Sequence, residues 1–228
     1  AQQSGWANPA AFTPVFAAAF AGANSYMGRD IAQGGFIGGG QVGYSYQYGQ
    51  NFLLGFEADM QGAGISGQGA ARGIGPASTE ADSVFVFGSS DVIQAGINWM
   101  GTARGRMGYL IAPTVMMYVT GGLAYGGTYL KTFPTTFATD NSGYVEPFTS
   151  TENAQQNFNV GWTAGGGTEW MMAPNWSIKG EALYYDLGST SVSNTHYVAS
   201  SNAASRNPFG GSTTRAYYQG VIARAGVN

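Results

Sequence analysis

Several stretches of the chain alternate apolar and polar residues one by one. In 115–125 (VMMYVTGGLAY), Val115, Met117, Val119, Leu123 and Tyr125 share one face, with Thr120, Gly122 and Ala124 on the other. In 176–184, Trp176, Ile178, Ala182 and Tyr184 oppose Ser177, Lys179 and Glu181. In 36–47, Phe36, Val42, Tyr44 and Tyr46 oppose Gln41, Gly43, Ser45 and Gln47. A period of two marks β-strands with one apolar and one polar face.

Tight turns interrupt the alternation at QYGQNF (47–52) and at two Ala-Pro pairs, Ala112-Pro113 and Ala173-Pro174. Between them lie long segments rich in Gly, Ser, Thr and Asn: 64–92, 132–157 and 189–213. The strands are placed at 14–23, 34–48, 51–64, 93–111, 114–130, 158–172, 175–188 and 214–228. Short turns at one end and long loops at the other predict an all-β fold. It is an eight-stranded antiparallel transmembrane β-barrel with short periplasmic turns and long extracellular loops. Residues 1–228 form a single domain, with 1–13 read as a periplasmic N-terminal extension. The first strand has the poorest pattern, lying in AAFTPVFAAAFAGA (10–23).

Composition points the same way. Charged residues make up 9% of the chain and aromatics 14%, a balance that suits an outer surface facing lipid better than one facing water. The net charge of −3 offers no basic footprint for nucleic acid. The chain has no cysteine, which excludes disulfides and thiolate metal sites. No apolar run is long enough for a transmembrane helix, so insertion has to use strands.

The aromatic residues indicate which face meets lipid. Trp99 and Tyr109 share a face ten residues apart. At 3.3 Å per residue and a tilt near 40°, that is about 25 Å of height, the span of a lipid-facing band between two aromatic girdles. Trp162 and Trp170 repeat the arrangement, and Trp176 joins the same girdle set.

The polar faces then hold Glu57, Asp59, Arg104, Arg106, Glu169, Lys179, Glu181 and Arg224, four acids and four bases. An eight-stranded barrel leaves room inside only for side chains, and a neutral sum suits a plugged lumen. Glu57 and Asp59 could also be read as a catalytic pair, but two inward carboxylates near arginines would stay ionised. His196, the sole histidine, falls in TSVSNTHYVASSN and is expected to be a solvated loop residue. The other readings of His196 are a rim site shared with Asp186 and nearby serines, or porphyrin binding, and neither has a specific motif. The Gly-x-Gly runs do not stand between a strand and a helix, so no nucleotide cofactor is implied.

The stretches GFIGGGQVGYSYQYGQNFLLGFEADMQGAGI (35–65), WMGTARGRMGYL (99–110), VTGGLAYGG (119–127), GWTAGGGTEWMMAPNWSIKGEALYYDLG (161–188) and RAGVN (224–228) resemble one family. It is the alphaproteobacterial outer-membrane β-barrel surface antigens, Brucella-type immunogenic porin-like proteins related to the OmpA transmembrane barrel. The resemblance implies an outer-membrane location, an eight-stranded barrel, exposed surface loops and no enzymatic activity. The partners expected of such a barrel are outer-membrane lipids and lipopolysaccharide, with other envelope proteins a further candidate class. Two departures concern the first and last strands. The first lacks the family's Trp-Thr-Gly-Phe-Tyr pattern, its nearest match being VFAAAFAGAN (15–24), and the chain stops at Asn228 without the aromatic ending usual in the family. Either the sequence is trimmed or closure between these strands is unusual. The expected function is a non-enzymatic envelope barrel with surface-exposed interactions. A narrow porin-like channel is the alternative, and a rim-sited outer-membrane enzyme is the third reading.

Overall fold

A computed structural model describes residues 2–7, 19, 21–23, 31–75, 78–80, 83–140, 143, 145–150, 152–198 and 208–228. In chain order the strands are β1 (Gln2–Ala7), β2 (Ile37–Tyr48), β3 (Phe52–Ile74), β4 (Ser78–Glu80), β5 (Ser83–Ala112), β6 (Val115–Thr139), β7 (Val145–Ser150), β8 (Asn153–Ala173), β9 (Trp176–Val198) and β10 (Pro208–Val227). Seven are long, namely β2, β3, β5, β6, β8, β9 and β10, and they form one antiparallel sheet. The sheet runs β10, β9, β8, β6, β5, β3, β2, with β7 extending the β8 column between β6 and β9. β1 pairs only with 210–215 of β10, and β4 only with β5.

Seven of the eight expected strands are present. The expected first strand at 14–23 is not, because Ala19 and residues 21–23 are helical and the rest of that stretch lies outside the described residues. The local sequence accounts for this. Ala-rich AAAFAGA lacks the alternation a strand needs, and alanine is the strongest helix former. Ala19 and Ala23 are buried, and the Ala19 carbonyl packs against Gly75, where a Cβ would come within 2.0 Å of it. Residues 2–7, read from sequence as part of an extension, instead pair with β10 at the end away from the tight turns.

The tight turns fall where the sequence places them, at Gly49–Asn51, Pro113–Thr114 and Pro174–Asn175. Gly49 has φ +68°, which glycine adopts without strain. The opposite ends depart from expectation. The segments read as loops 64–92, 132–157 and 189–213 are in large part strand, since β3 continues to Ile74, β6 to Thr139 and β9 to Val198. In the β9 extension, buried Thr190, Asn194 and His196 alternate with outward Ser189, Ser191 and Ser193, so both faces are polar and the alternation disappears from the sequence.

The sheet curls until side chains from its two ends meet. Gln41 of β2 donates to Asn228, which follows β10, and Arg224 of β10 reaches Asp59 of β3 at 2.8 Å. No backbone ladder joins β2 to β10 among the described residues, so the sheet is not closed.

The concave side is layered. Along β9 the inward row reads Lys179, Glu181, then Leu183, Tyr185, Leu187, then Thr190, Val192, Asn194, His196. β5 reads Arg106, Arg104, Thr102, then Met100, Ile97, Ala95, Ile93, then Asp91 and Ser89, and β10 repeats the order from Arg224 through Ile222 and Tyr218 to Thr214 and Ser212. A charged layer at the short-turn end, an apolar layer and a polar layer thus succeed one another. The apolar layer is the core of the molecule, centred on Ile97, Met100, Tyr185, Leu187, Tyr218 and Ile222. The convex side instead exposes Tyr44, Phe56, Val119, Leu123, Trp162, Trp176 and Val221.

Candidate functional site

The strand register builds the charged layer. Arg104 stands opposite Glu57 between β5 and β3, Arg224 opposite Glu181 between β10 and β9, and Glu169 opposite Lys179 between β8 and β9. Because each pair shares the inward face, all eight sequence-selected charges converge, and they do so in one connected network.

Arg104 is fully buried and touches three carboxylates, Glu57 and Glu181 at 3.1 Å each and Asp59 at 3.2 Å. Arg106 donates to Glu57 at 2.8 Å and to Glu169, and its guanidinium lies 4.0 Å from the Tyr118 ring centroid. Lys179 donates to Glu57 at 3.2 Å and lies 3.6 Å from Glu181. Arg224 binds Asp59 at 2.8 Å and Glu181. Every acid has at least one cation and every cation at least one acid, so charges that would be costly alone are compensated.

Neutral groups complete the shell. Thr102 donates to Asp59 at 2.7 Å, Gln61 to Asp59 at 2.9 Å, Tyr118 to Glu181 at 3.2 Å and Asn228 to Glu169 at 3.0 Å. Sequence reasoning passed over these residues, although Gln61, Thr102 and Tyr118 lie on the inward parity of their strands and Asn228 directly follows β10. It also passed over the apolar layer, which the same parity carries as Leu183, Tyr185 and Leu187 in line with Glu181. Glycine leaves the room the network needs. A Cβ on Gly167 would stand 2.8 Å from both Glu181 Cβ and Tyr118 Oη, and 2.3 Å from the Gly180 carbonyl.

An open cavity of about 860 Å³ adjoins the network at the short-turn end, lined by Gln41, Glu57, Asp59, Arg106, Lys179 and Arg224 among others. A second, of about 480 Å³, lies between β10 and residues 31–37. Both flank the unpaired edges of β2 and β10.

The five sequence-selected aromatics all point outward. Tyr109, Trp162, Trp170 and Trp176 are exposed and Trp99 is half-buried. They gather at two levels. Tyr109 meets Phe52 edge-to-face at 5.2 Å near the short turns, while Trp99 lies 6.0 Å from Phe158 and 6.3 Å from Tyr125 farther up.

His196 is the clearest departure from the sequence reading. It is not a solvated loop residue but sits in β9, fully buried, with Nδ1 3.3 Å from Thr136 Oγ1. Gly188 (φ +76°) shifts the β9 pairing, and Asp186 faces the opposite side, bonded to the Gly188 amide at 2.8 Å. His196 and Asp186 therefore do not come together.

No family model and no solved structure matches the chain. The 31 kDa outer-membrane immunogenic proteins of Brucella melitensis and Brucella suis are each 35% identical to it over 162 residues, covering 70% of this chain and 57% of theirs. An uncharacterized protein of Coxiella burnetii is 24% identical over 183 residues, covering 78% of this chain and 64% of its own. The chain thus spans less than two thirds of these relatives. An outward apolar surface with two aromatic levels is what a bacterial outer membrane asks of a sheet protein, and the 35% identity carries that location to this chain. The chain belongs to the family of Brucella-type outer-membrane immunogenic proteins.

Proposed function

We propose that this protein is a non-enzymatic outer-membrane barrel that supports envelope integrity and presents surface antigen outside, its lumen sealed. In this reading the sheet closes as an eight-stranded barrel. The eighth position is the slot between β2 and β10, whose upper part β1 already occupies. The short turns face the periplasm and the polar strand extensions face outward from the cell. The partners are outer-membrane lipids, including lipopolysaccharide, and other envelope proteins.

One observation carries the sealed lumen. On β5, β9 and β10 a charge-compensated network gives way to an apolar layer with no inward charge, so an ion that passed the first would have to shed its water in the second. The alternative, a narrow porin-like channel, is favoured only by the open cavity at the short-turn end. Planar-bilayer recording separates the two. A sealed lumen gives no unitary steps from the heat-modifiable, folded protein. Stable ion-selective steps altered by Arg106→Ala would establish the channel instead.

A further inference from the structure

The ladder between β8 and β9 is interrupted from the upper aromatic level upward. Trp162–Ala173 pair with Trp176–Asp186, and the two columns rejoin only where β7 meets β9, at 148–150 with 196–198. Between these, no backbone pairing joins 153–161 to 187–195 among the described residues. Side chains bridge the interruption instead. Asn159 donates to the Leu187 carbonyl at 2.9 Å, Asn153 to the Ser193 carbonyl at 2.9 Å and Asn157 to Thr190 Oγ1 at 3.4 Å. The wall thus holds a window framed by amides and hydroxyls.

The polar layer of the interior lies behind it. Asn194 of β9 stands opposite Ser212 of β10, and Thr214 follows Ser212 on the same inward row. All three are 1% exposed or less. Asn194 Oδ1 accepts from Thr132 at 2.8 Å and from Asn153, a member of the window frame, at 3.0 Å. Its Nδ2, together with Ser212 Oγ and Thr214 Oγ1, has no hydrogen-bond partner among the described residues. Buried polar atoms are rarely left this way, because each forfeits its bonds to water and gains none in return. Neighbouring orphans on one wall point to a shared partner that side chains do not supply. The inward row of β10 leaves room for it, since Gly210, Ser212, Thr214 and Ala216 are all small. Side chains directly opposite each other start about 5 Å apart, and those two residues apart on one strand about 6.6 Å. A water bonded on two sides spans about 5.6 Å, which fits both gaps, and a buried water typically makes about three such bonds.

We infer that Asn194, Ser212 and Thr214 form a buried water-binding site, filled through the β8–β9 window. The ligand is neutral and water-sized, because the site offers one amide donor and hydroxyls but no charge. Below it, Tyr218 reaches from β10 to the Tyr129 carbonyl of β6 at 2.7 Å and marks the top of the apolar layer. The inference rests on strand register and burial and is independent of the membrane reading.

The test uses the full chain refolded in detergent micelles. Oxygen-17 relaxation dispersion of the water signal counts waters held longer than the protein tumbles. The wild-type chain should show such a contribution. Ser212→Ala combined with Thr214→Val should lose about one water's share of it, with heat-modifiable migration showing the variant folded, while outward Ser193→Ala leaves it unchanged. Replacing Asn157 and Asn159 together by leucine should lengthen the water's residence time. No long-lived water in the wild type, or a signal unchanged in the Ser212/Thr214 variant, would overturn the site. A higher urea midpoint for that variant would also overturn it, since removing dry, unbonded hydroxyls is stabilising. A residence time unmoved by the leucine pair would overturn the window as the way in.

Discussion

Replacing Arg104 by methionine removes the charge and keeps most of the volume. Arg104 is fully buried and holds three carboxylates at 3.1–3.2 Å, so its loss leaves Glu57, Asp59, Glu169 and Glu181 sharing Arg106, Lys179 and Arg224 with one negative charge in excess. Breaking a buried pair from one side costs about 3–5 kcal/mol. Three acceptors lose a charge-assisted bond at once, which places Arg104→Met at the upper end of that range. Adding Glu57→Gln restores neutrality and should recover about 2 kcal/mol, within the coupling range for contacting residues. Urea unfolding of protein refolded in vesicles, followed by tryptophan fluorescence, reads both numbers. At a slope of about 2 kcal/mol per molar, the single variant should lower the midpoint by about 2 M. A loss below about 1 kcal/mol, or a double variant no better than the single, would refute the buried, coupled network.

Other outcomes follow from individual positions. Leu123, outward at the middle of β6 and 60% exposed, should not tolerate arginine in a bilayer, with Leu123→Arg costing about 2–4 kcal/mol of insertion while Ser193→Arg on the β9 extension changes it by less than about 0.5. Gly167→Ala meets the Gly180 carbonyl at 2.3 Å and should cost about 1–3 kcal/mol in the same unfolding assay, whereas Gly180→Ala meets nothing within 4 Å and should be near neutral. His196 lies beyond the aromatic levels, and burial pushes its pKa from 6.5 down to about 4. The unfolded chain takes up a proton below 6.5 that the folded chain refuses until about 4. Stability of the β9 extension should therefore fall by the order of 3 kcal/mol as pH drops through that window. Hydrogen exchange at 190–198 should show the loss, and His196→Gln should flatten it.

How much of this was legible depended on whether the two faces of a strand differ in polarity. From Val115 to Tyr125 they differ strongly, and the strand, its parity and its neighbours could be read directly. From Ser189 to Val198 they do not, because Ser191 outside and Asn194 inside are equally polar, so ten residues of strand read as loop and buried His196 read as solvated. The charge network was legible as a set, since its members share inward parity and sum to zero. Its wiring was not. Glu169 stands opposite Lys179 yet bonds to Arg106 across the interior, a choice made by sheet curvature rather than by spacing. The apolar layer was hidden by treating the inward face as uniformly polar, though Leu183 and Tyr185 follow Glu181 at the same parity. At 14–23 an Ala-rich stretch was given a strand it could not pattern, and its described residues are helical.

Which face of the sheet meets lipid can be measured without background, because the chain has no native cysteine. Single cysteines placed in turn along β6 from Met116 to Tyr125, labelled with a small fluorophore in vesicles containing brominated lipid, report contact with the hydrocarbon. Quenching should alternate, strong at 117, 119, 123 and 125 and absent at 116, 118, 120 and 124, as exposed Met117, Val119 and Leu123 and buried Met116, Tyr118, Thr120 and Ala124 require. Uniform quenching, or none at any position, would contradict a sheet that turns its apolar face to the membrane and seals its charges within.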